Sequence, residues 1–362
     1  MPAQSAAFTG TDRLLKAQRN EPEREMKVAV DAMGGDFAPR VTVEGAVKAS
    51  KEYNIEVLLV GVEDLIKKEF AKLNHSRARV NVINATEAIG MGEGILSFRK
   101  KKKSSIRVGT QLVKDGEADA FVSIGNTAAV VYMSRKILGA LKGVDKPALS
   151  LLVPNLKGLT LLIDVGANVN CRPHHLEQFA VMGHTFMKSV LGIKTPRIGL
   201  MSVGEEETKG NELTKEAFDR LEASPLNFIG NVEGKDIYSG KADVIVSDGF
   251  TGNVALKVSE GMVETFFYMA RTEVMKNFFA KIGFFLMKRN LKRIYKKIDY
   301  SEYGGAQLLG INGVCIIGHG RSNSNAVKSA VGLARDFVLN KVQDKIQQEI
   351  AELSHRLSEI EG

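Results

Sequence analysis

The sequence predicts a doubly wound, mainly parallel α/β fold, and three observations carry that prediction. Short apolar runs such as KVAVDA (27–32), DAFVSI (119–124) and TLLIDV (160–165) are aliphatic on both faces, as strands covered on both sides of a sheet are. Helical patterns alternate with these runs. Several runs end in polar, glycine-bearing loops, the place where open α/β sheets bind ligands.

In chain order, strands are expected at 27–32, 56–61, 79–84, 119–124, 148–153, 160–165, 197–203, 243–248 and 314–318. Helices are expected over 40–53, 62–73, 126–141, 174–191, 212–222 and 324–352. No low-complexity linker or repeat divides the chain, so residues 26–362 are expected to form one α/β domain. Residues 1–25 lack the apolar core of a signal peptide and are expected to be a disordered tail. No stretch is long and apolar enough to span a bilayer.

The net charge of +8 favours acidic partners: anionic lipid, nucleic acid, phosphate compounds or an acidic carrier protein. Two cysteines, Cys171 and Cys315, imply no disulfide framework and fit a reducing cytoplasm.

Five loops are predicted to meet at one cleft at the carboxyl ends of the strands: DAMGGD (31–36), SIGNT (123–127), DVGANVN (164–170), SVGEEETKGN (202–211) and SDGFTGN (247–253). Read in order with KKSSIRVG (102–109), FIGNVEG (228–234) and YGGAQLLGINGVCIIGHG (303–320), these motifs resemble the phosphate acyltransferase family, which makes acyl-phosphate from acyl-acyl-carrier protein. The resemblance covers essentially everything after residue 26.

The resemblance implies a three-layer α/β/α sandwich related to the isocitrate and isopropylmalate dehydrogenases. It also implies a homodimer with no metal or organic cofactor, held loosely at the membrane and feeding a membrane glycerol-phosphate acyltransferase. The partners are then acyl carrier protein and inorganic phosphate, in phospholipid biosynthesis, with no role for nucleic acid.

Such a reaction must hold phosphate, bring it to the thioester carbonyl and stabilise an oxyanion. Phosphate is the nucleophile, so no activated Ser or Cys is required; the sequence has no GxSxG elbow. Glycine-rich loops before helices offer amides for an anion. SDGFTGN fits, with a helix expected from about Val254, Thr251, Gly252 and Asn253 as donors, and Asp248 orienting the loop. Lys209 in ETKGN is the expected positive charge at phosphate or oxyanion.

Asn126, Thr127 and Asn168 are further candidate donors. Asp31, Gly34 and Gly35 of the first loop join the expected phosphate-binding set, with Asp31 and Asp164 positioned to hold loops through backbone N–H groups. His319 in GHG is an acid/base candidate, equally able to hydrogen-bond substrate or to serve structure. Cys171 reads as a small buried residue, with acyl acceptance the alternative. His174 and His175 are adjacent and expected on different helix faces, so no metal-ligand constellation is expected.

Residues 274–298 carry eight Lys or Arg and no Asp or Glu. Phe278, Phe279, Ile282, Phe285 and Leu286 recur with Lys288, Arg289, Lys292 and Arg293, and Gly283 marks an expected break. Such a basic amphipathic segment reads as a membrane-surface binder; a core or dimer-interface helix and a dock for acidic carrier protein are the alternatives. The run 99–103 is a second candidate dock. Two other functions fit part of the sequence: a nicotinamide-dependent dehydrogenase of related fold, and a non-enzymatic basic membrane- or nucleic-acid-binding protein. Against the first stands GGD where GxGxxG would follow the first strand.

Overall fold

The computed structural model describes residues 25–298 and 304–361. The expected tail lies, but for Glu25, outside the described residues. Eleven strands form one sheet: β1 (Lys27–Asp31), β2 (Glu56–Gly61), β3 (Arg79–Asn84), β4 (Ala120–Ser123), β5 (Ala148–Pro154), β6 (Leu159–Ile163), β7 (Ile198–Met201), β8 (Phe228–Val232), β9 (Val244–Val246), β10 (Ala306–Leu309) and β11 (Val314–Ile317). Their order is β3-β2-β1-β4-β11-β10-β5-β6-β9-β7-β8.

Eleven helices are described: α1 (Arg40–Tyr53), α2 (Glu63–Phe70), α3 (Ile95–Lys100), α4 (Ser105–Lys114), α5 (Thr127–Ile137), α6 (Pro173–Val190), α7 (Glu212–Glu222), α8 (Gly249–Lys276), α9 (Phe278–Ile298), α10 (Ser324–Leu339) and α11 (Val342–Glu361). Alternate residues of one strand serve opposite cores. Val28 and Val30 join the cluster under α1, α6 and α10, whereas Ala29 joins the cluster under α4 and α5. That is the period-two signature of a sheet covered on both faces.

The pairings are parallel except at the centre. There β10 runs antiparallel to both β11 and β5, and β5 runs antiparallel to β6. Strands β6, β9 and β7 therefore point opposite to β1, β4 and β11, so loops expected at one cleft come to it from two directions. The carboxyl ends of β11 and β6 lie in adjacent rows, since Ile317 pairs with Ala306 and Ile163 with Ser150, so the loops after them approach each other from opposite directions. The two sets face each other across β10 and β5.

Strands β8 and β10 were not anticipated. A register shift interrupts the pairing of β7 with β8, where Gly230 has φ 88°. β10 is four residues long, follows Gly304 and Gly305 at φ 100° and 93°, and carries a fully buried Gln307. The Gln307 Oε1 accepts from the Ser150 hydroxyl at 3.0 Å, which satisfies a polar pair in the middle of the sheet. The helix expected over 324–352 is two helices, broken at Lys341 with φ 49°. The basic segment breaks at Asn277 rather than at Gly283. The Asn277 Oδ1 accepts from the Phe279 and Ala280 amides, an N-cap that starts α9. Among the described residues no helix is long and apolar enough to cross a membrane.

Candidate active site

A cleft of about 820 Å³ opens on one face of the sheet between α5 and α8. Its apolar floor is Leu149 and Leu151 of β5, Ala306 of β10 and Ile317 of β11. Thr127 and Ala128 open one wall, Asn253, Leu256, Lys257 and Glu260 form the other, and Gly166, Ala167, Gly318 and His319 close the ends. Loops from both halves of the sheet thus share one hollow.

Of the residues expected at the site, Thr127, Asn253 and His319 line it. The N-terminus of α5 stands at one wall of it. Asn126 is the N-cap: its Oδ1 accepts from the Ala129 amide at 3.0 Å, and its backbone carbonyl accepts the first helical bond, from Val130. The amides of Thr127 and Ala128 precede that bond, and both residues line the cleft at the helix start, where the helix dipole favours negative charge. Asn126 is not itself a donor to ligand. Its Nδ2 is spent on the carbonyls of Gly90, Met91 and Glu93 at 2.9 to 3.2 Å, which pins the segment leading into α3.

The expected phosphate seat at SDGFTGN is corrected. The helix starts at Gly249, not near Val254, so Asp248 is its N-cap. The Asp248 carboxylate accepts from the Phe250 and Thr251 amides and from the Thr251 hydroxyl at 2.6 Å. Gly249 N–H is spent on Asn168 O at 2.8 Å. A capped terminus with a carboxylate on it repels an anion. Gly252 serves close packing: a Cβ there would stand 1.9 Å from Asp164 O.

Asp164 is the hub of the opposite loop. It is fully buried and accepts from the amides of Leu149, Gly166, Ala167 and Asn168 and from Asn168 Nδ2, at 2.7 to 3.1 Å. Burial raises its pKa, and these bonds oppose that. The Asn168 side chain is therefore also committed: Nδ2 donates to Pro147 O and Asp164 Oδ2, and Oδ1 accepts from Arg135 Nη1 at 3.2 Å. It is not a free phosphate donor; it holds Arg135.

The first loop lies outside the cleft lining. Asp31 is 1% exposed and accepts from the Ser123 hydroxyl at 2.7 Å and the Met33 amide at 3.0 Å; burial raises its pKa. A Cβ on Gly34 would meet Gly125 N at 2.6 Å, and Gly35 has φ 86°. These residues dock the first loop under SIGNT. Lys209 is exposed and lies outside the cleft lining. β9 separates β7 from β6, so its loop opens two strand spacings, about 10 Å, from the Asp164 loop.

His319 stands two residues after β11, half-buried. Its Nδ1 accepts from the Arg321 amide at 3.2 Å, which leaves the proton on Nε2 in the neutral ring. Cys171 is half-buried, and burial pushes its thiol up to about 11, so little thiolate is present at neutral pH.

The sequence reading missed Tyr132, Arg135 and Lys136, which line the cleft. The signal was present: Thr127, Val131 and Arg135, and Ala128, Tyr132 and Lys136, each repeat every four residues on the expected helix, so both rows share the face that begins at the N-cap loop. Arg99 Nε donates to the Tyr132 hydroxyl at 3.0 Å and Lys136 stands over its ring. On the facing wall, Lys257 is paired with Glu260 at 2.7 Å.

The expectation that His174 and His175 diverge is also corrected. At the first turn of α6 both converge on Asp145, and the three can offer ligand atoms within 4.8 Å of one another. His174 Nε2 lies 2.8 Å and His175 Nε2 3.9 Å from Asp145 Oδ2. However, His175 Nδ1 accepts from the Arg172 amide at 2.8 Å, which keeps the proton on Nε2, the nitrogen a metal would need bare. The cluster fits a hydrogen-bonded helix cap and not a metal site.

The family model described as FA_synthesis, fatty acid synthesis protein, matches residues 26–345. The phosphate acyltransferase of Pelotomaculum thermopropionicum is 48% identical over 326 residues, 90% of this chain and 95% of the relative. That of Alkaliphilus oremlandii is 47% identical over 329 residues, 91% of this chain and 98% of the relative. Among solved structures, a phosphotransacetylase from Streptococcus pyogenes superposes with TM-score 0.59 at 18% identity, covering 87% of this chain and 94% of that one. One from Staphylococcus aureus gives 0.57 at 14% identity, with the same two coverages. At these identities the structural likeness is one of fold.

Proposed function

The chain belongs to the family of fatty acid synthesis proteins and is an acyltransferase, and we propose that the cleft between α5 and α8 is where it transfers the acyl group. The reaction moves a fatty-acyl group from acyl carrier protein to inorganic phosphate, giving acyl-phosphate and the carrier thiol.

Phosphate sits at the Thr127 and Ala128 amides, with Arg135 and Lys136 supplying positive charge. The acyl chain lies on the apolar floor of Leu149, Leu151, Ala306 and Ile317. A phosphate oxygen adds to the thioester carbonyl carbon, and the tetrahedral oxyanion is met by His319 Nε2–H and the Asn253 side-chain amide. Collapse breaks the C–S bond. The proton of hydrogen phosphate, more acidic once its neighbour oxygen is acylated, passes to the departing sulfur. No protein nucleophile is used, in keeping with the raised Cys171 thiol.

One observation carries this reading: helix-start amides, cations, His319 and Asn253 share a single hollow with an apolar floor. Its test is thiol release from acyl-carrier protein with and without phosphate, acyl-phosphate being trapped as a hydroxamate. Equal release without phosphate, the behaviour of a thioesterase, defeats it.

The chain also acts as a homodimer bound peripherally to an anionic membrane, close to a membrane acyltransferase that consumes its product. Val254, Val258, Met262 and Met269 form one stripe of α8 at 46 to 67% exposure, an area suited to a second copy. On α9, Phe278, Phe279, Phe285 and Leu286 are 71 to 81% exposed, Ile282 is 46% exposed, and Arg289 and Arg293 are exposed, which supports the membrane role. The side chains of Lys288 and Lys292 lie outside the described residues. Kinship with the isocitrate and isopropylmalate dehydrogenases belongs to the same reading and rests on resemblance alone.

A further inference from the structure

We infer that the lip of the cleft formed by α3 and the turn after it is the surface on which the acidic carrier protein docks; this rests on the acyl-carrier reading of the cleft. Position comes first. Ile95, the first residue of α3, lines the cleft, and Arg99 one turn later is bonded to Tyr132, which also lines it. A carrier must present its thioester to the cleft floor, so it must sit at such a lip.

Charge selects this lip over the facing one. Arg99, Lys100, Lys102 and Lys103 are exposed, and among the described residues Lys100, Lys102 and Lys103 form no ion pair. Lys101 is the exception, held at 2.6 Å by Glu93 and so serving the local fold. Arg135 and Lys136 continue the positive surface into the cleft. On the other wall Lys257 is neutralised by Glu260.

Apolar surface completes the match. Met91, Ile95 and Leu96 are 46%, 54% and 74% exposed beside these cations. A small apolar centre within a ring of one charge is what an acidic amphipathic helix recognises. The lip is also held in place, because Asn126 bonds three carbonyls of the segment that carries it.

The test is the triple variant Lys100→Glu/Lys102→Glu/Lys103→Glu, none of these residues lining the cleft. Carrier binding is read by fluorescence anisotropy of labelled acyl-carrier protein, and turnover by thiol release. The expected result is at least about tenfold weaker carrier binding and a matching rise in KM for the carrier. Its dependence on salt should flatten, while KM for phosphate and kcat at saturating carrier stay unchanged. Carrier affinity equal to wild type overturns the inference, as does absence of carrier binding by the wild-type protein. It is also overturned if Arg289→Glu/Arg293→Glu on α9 weakens the carrier and the triple variant does not, or if the triple variant loses only anionic vesicles. If wild type binds carrier and the triple variant does not, yet neither releases thiol, docking stands and the catalytic reading fails.

Discussion

Arg135 Nη1 donates to Asn168 Oδ1 at 3.2 Å, and this bond ties the two oppositely directed halves of the sheet together at the cleft. Arg135 rides on α5 after β4, and Asn168 belongs to the loop after β6. Asn168 is held in turn by Asp164 and Pro147. A buried aspartate thereby sets where a cation stands, through one asparagine.

Replacing Arg135 by Leu should raise KM for phosphate and lower kcat/KM by about tenfold to a hundredfold, the loss of a charge-assisted contact of roughly 1.5–3 kcal/mol. Asn168→Ala should move the same parameter in the same direction by less, since the cation remains but is unheld. Phosphate titration in the thiol-release assay measures both. A change confined to KM for the carrier would contradict the assignment.

Asp164→Ala should destabilise the fold by about 3 kcal/mol or more, because it strands several buried N–H groups at once. Gly252→Ala should cost about 2–3 kcal/mol, since the new methyl meets the Asp164 carbonyl, a backbone atom that has little room to yield. Urea denaturation checks both, with unchanged midpoints the contrary result.

Stability should fall on acidification through His175. Burial, with the positive neighbours His174, Lys146 and Arg172, lowers its pKa from 6.5 to about 4, against the opposing pull of Asp145. Its folded pKa is below its unfolded one, so the contribution is whole above pH 6.5 and is lost as pH falls toward 4. His175→Gln should flatten that slope, a difference of about 1–2 kcal/mol between pH 7 and pH 4.5. Parallel stability profiles for the two proteins would count against it.

Arg289→Glu with Arg293→Glu should weaken sedimentation with anionic vesicles by roughly 1–2 kcal/mol per charge reversed, more strongly at low salt. Turnover of soluble substrate should be unaffected. Vesicle binding equal to wild type would remove the membrane role of α9.

The strands covered on both faces were legible because their composition is set by burial alone: KVAVD, EVLLVG and AFVS read as strands wherever they lie in the sheet. The helix from 40 to 53 was legible to the residue because its apolar spacing and the following Asn54, at φ 53°, both mark it. β10 was not, because the carbonyl of its polar Gln307 side chain is satisfied by Ser150, 157 residues away, while the amide bonds the Gly305 carbonyl.

By itself the sequence determined the α/β class, the run of glycine-bearing loops, and the presence of Thr127, Asn253 and His319 among the chemical candidates. Which loops meet was decided by the tertiary structure, because the direction of β5, β6 and β10 depends on partners distant in the chain. Availability was decided there too. Asn126, Asn168, Thr251 and Asp248 are polar in sequence but already bonded in the fold, and a side chain whose hydrogen bonds are spent on the protein has none left for an anion.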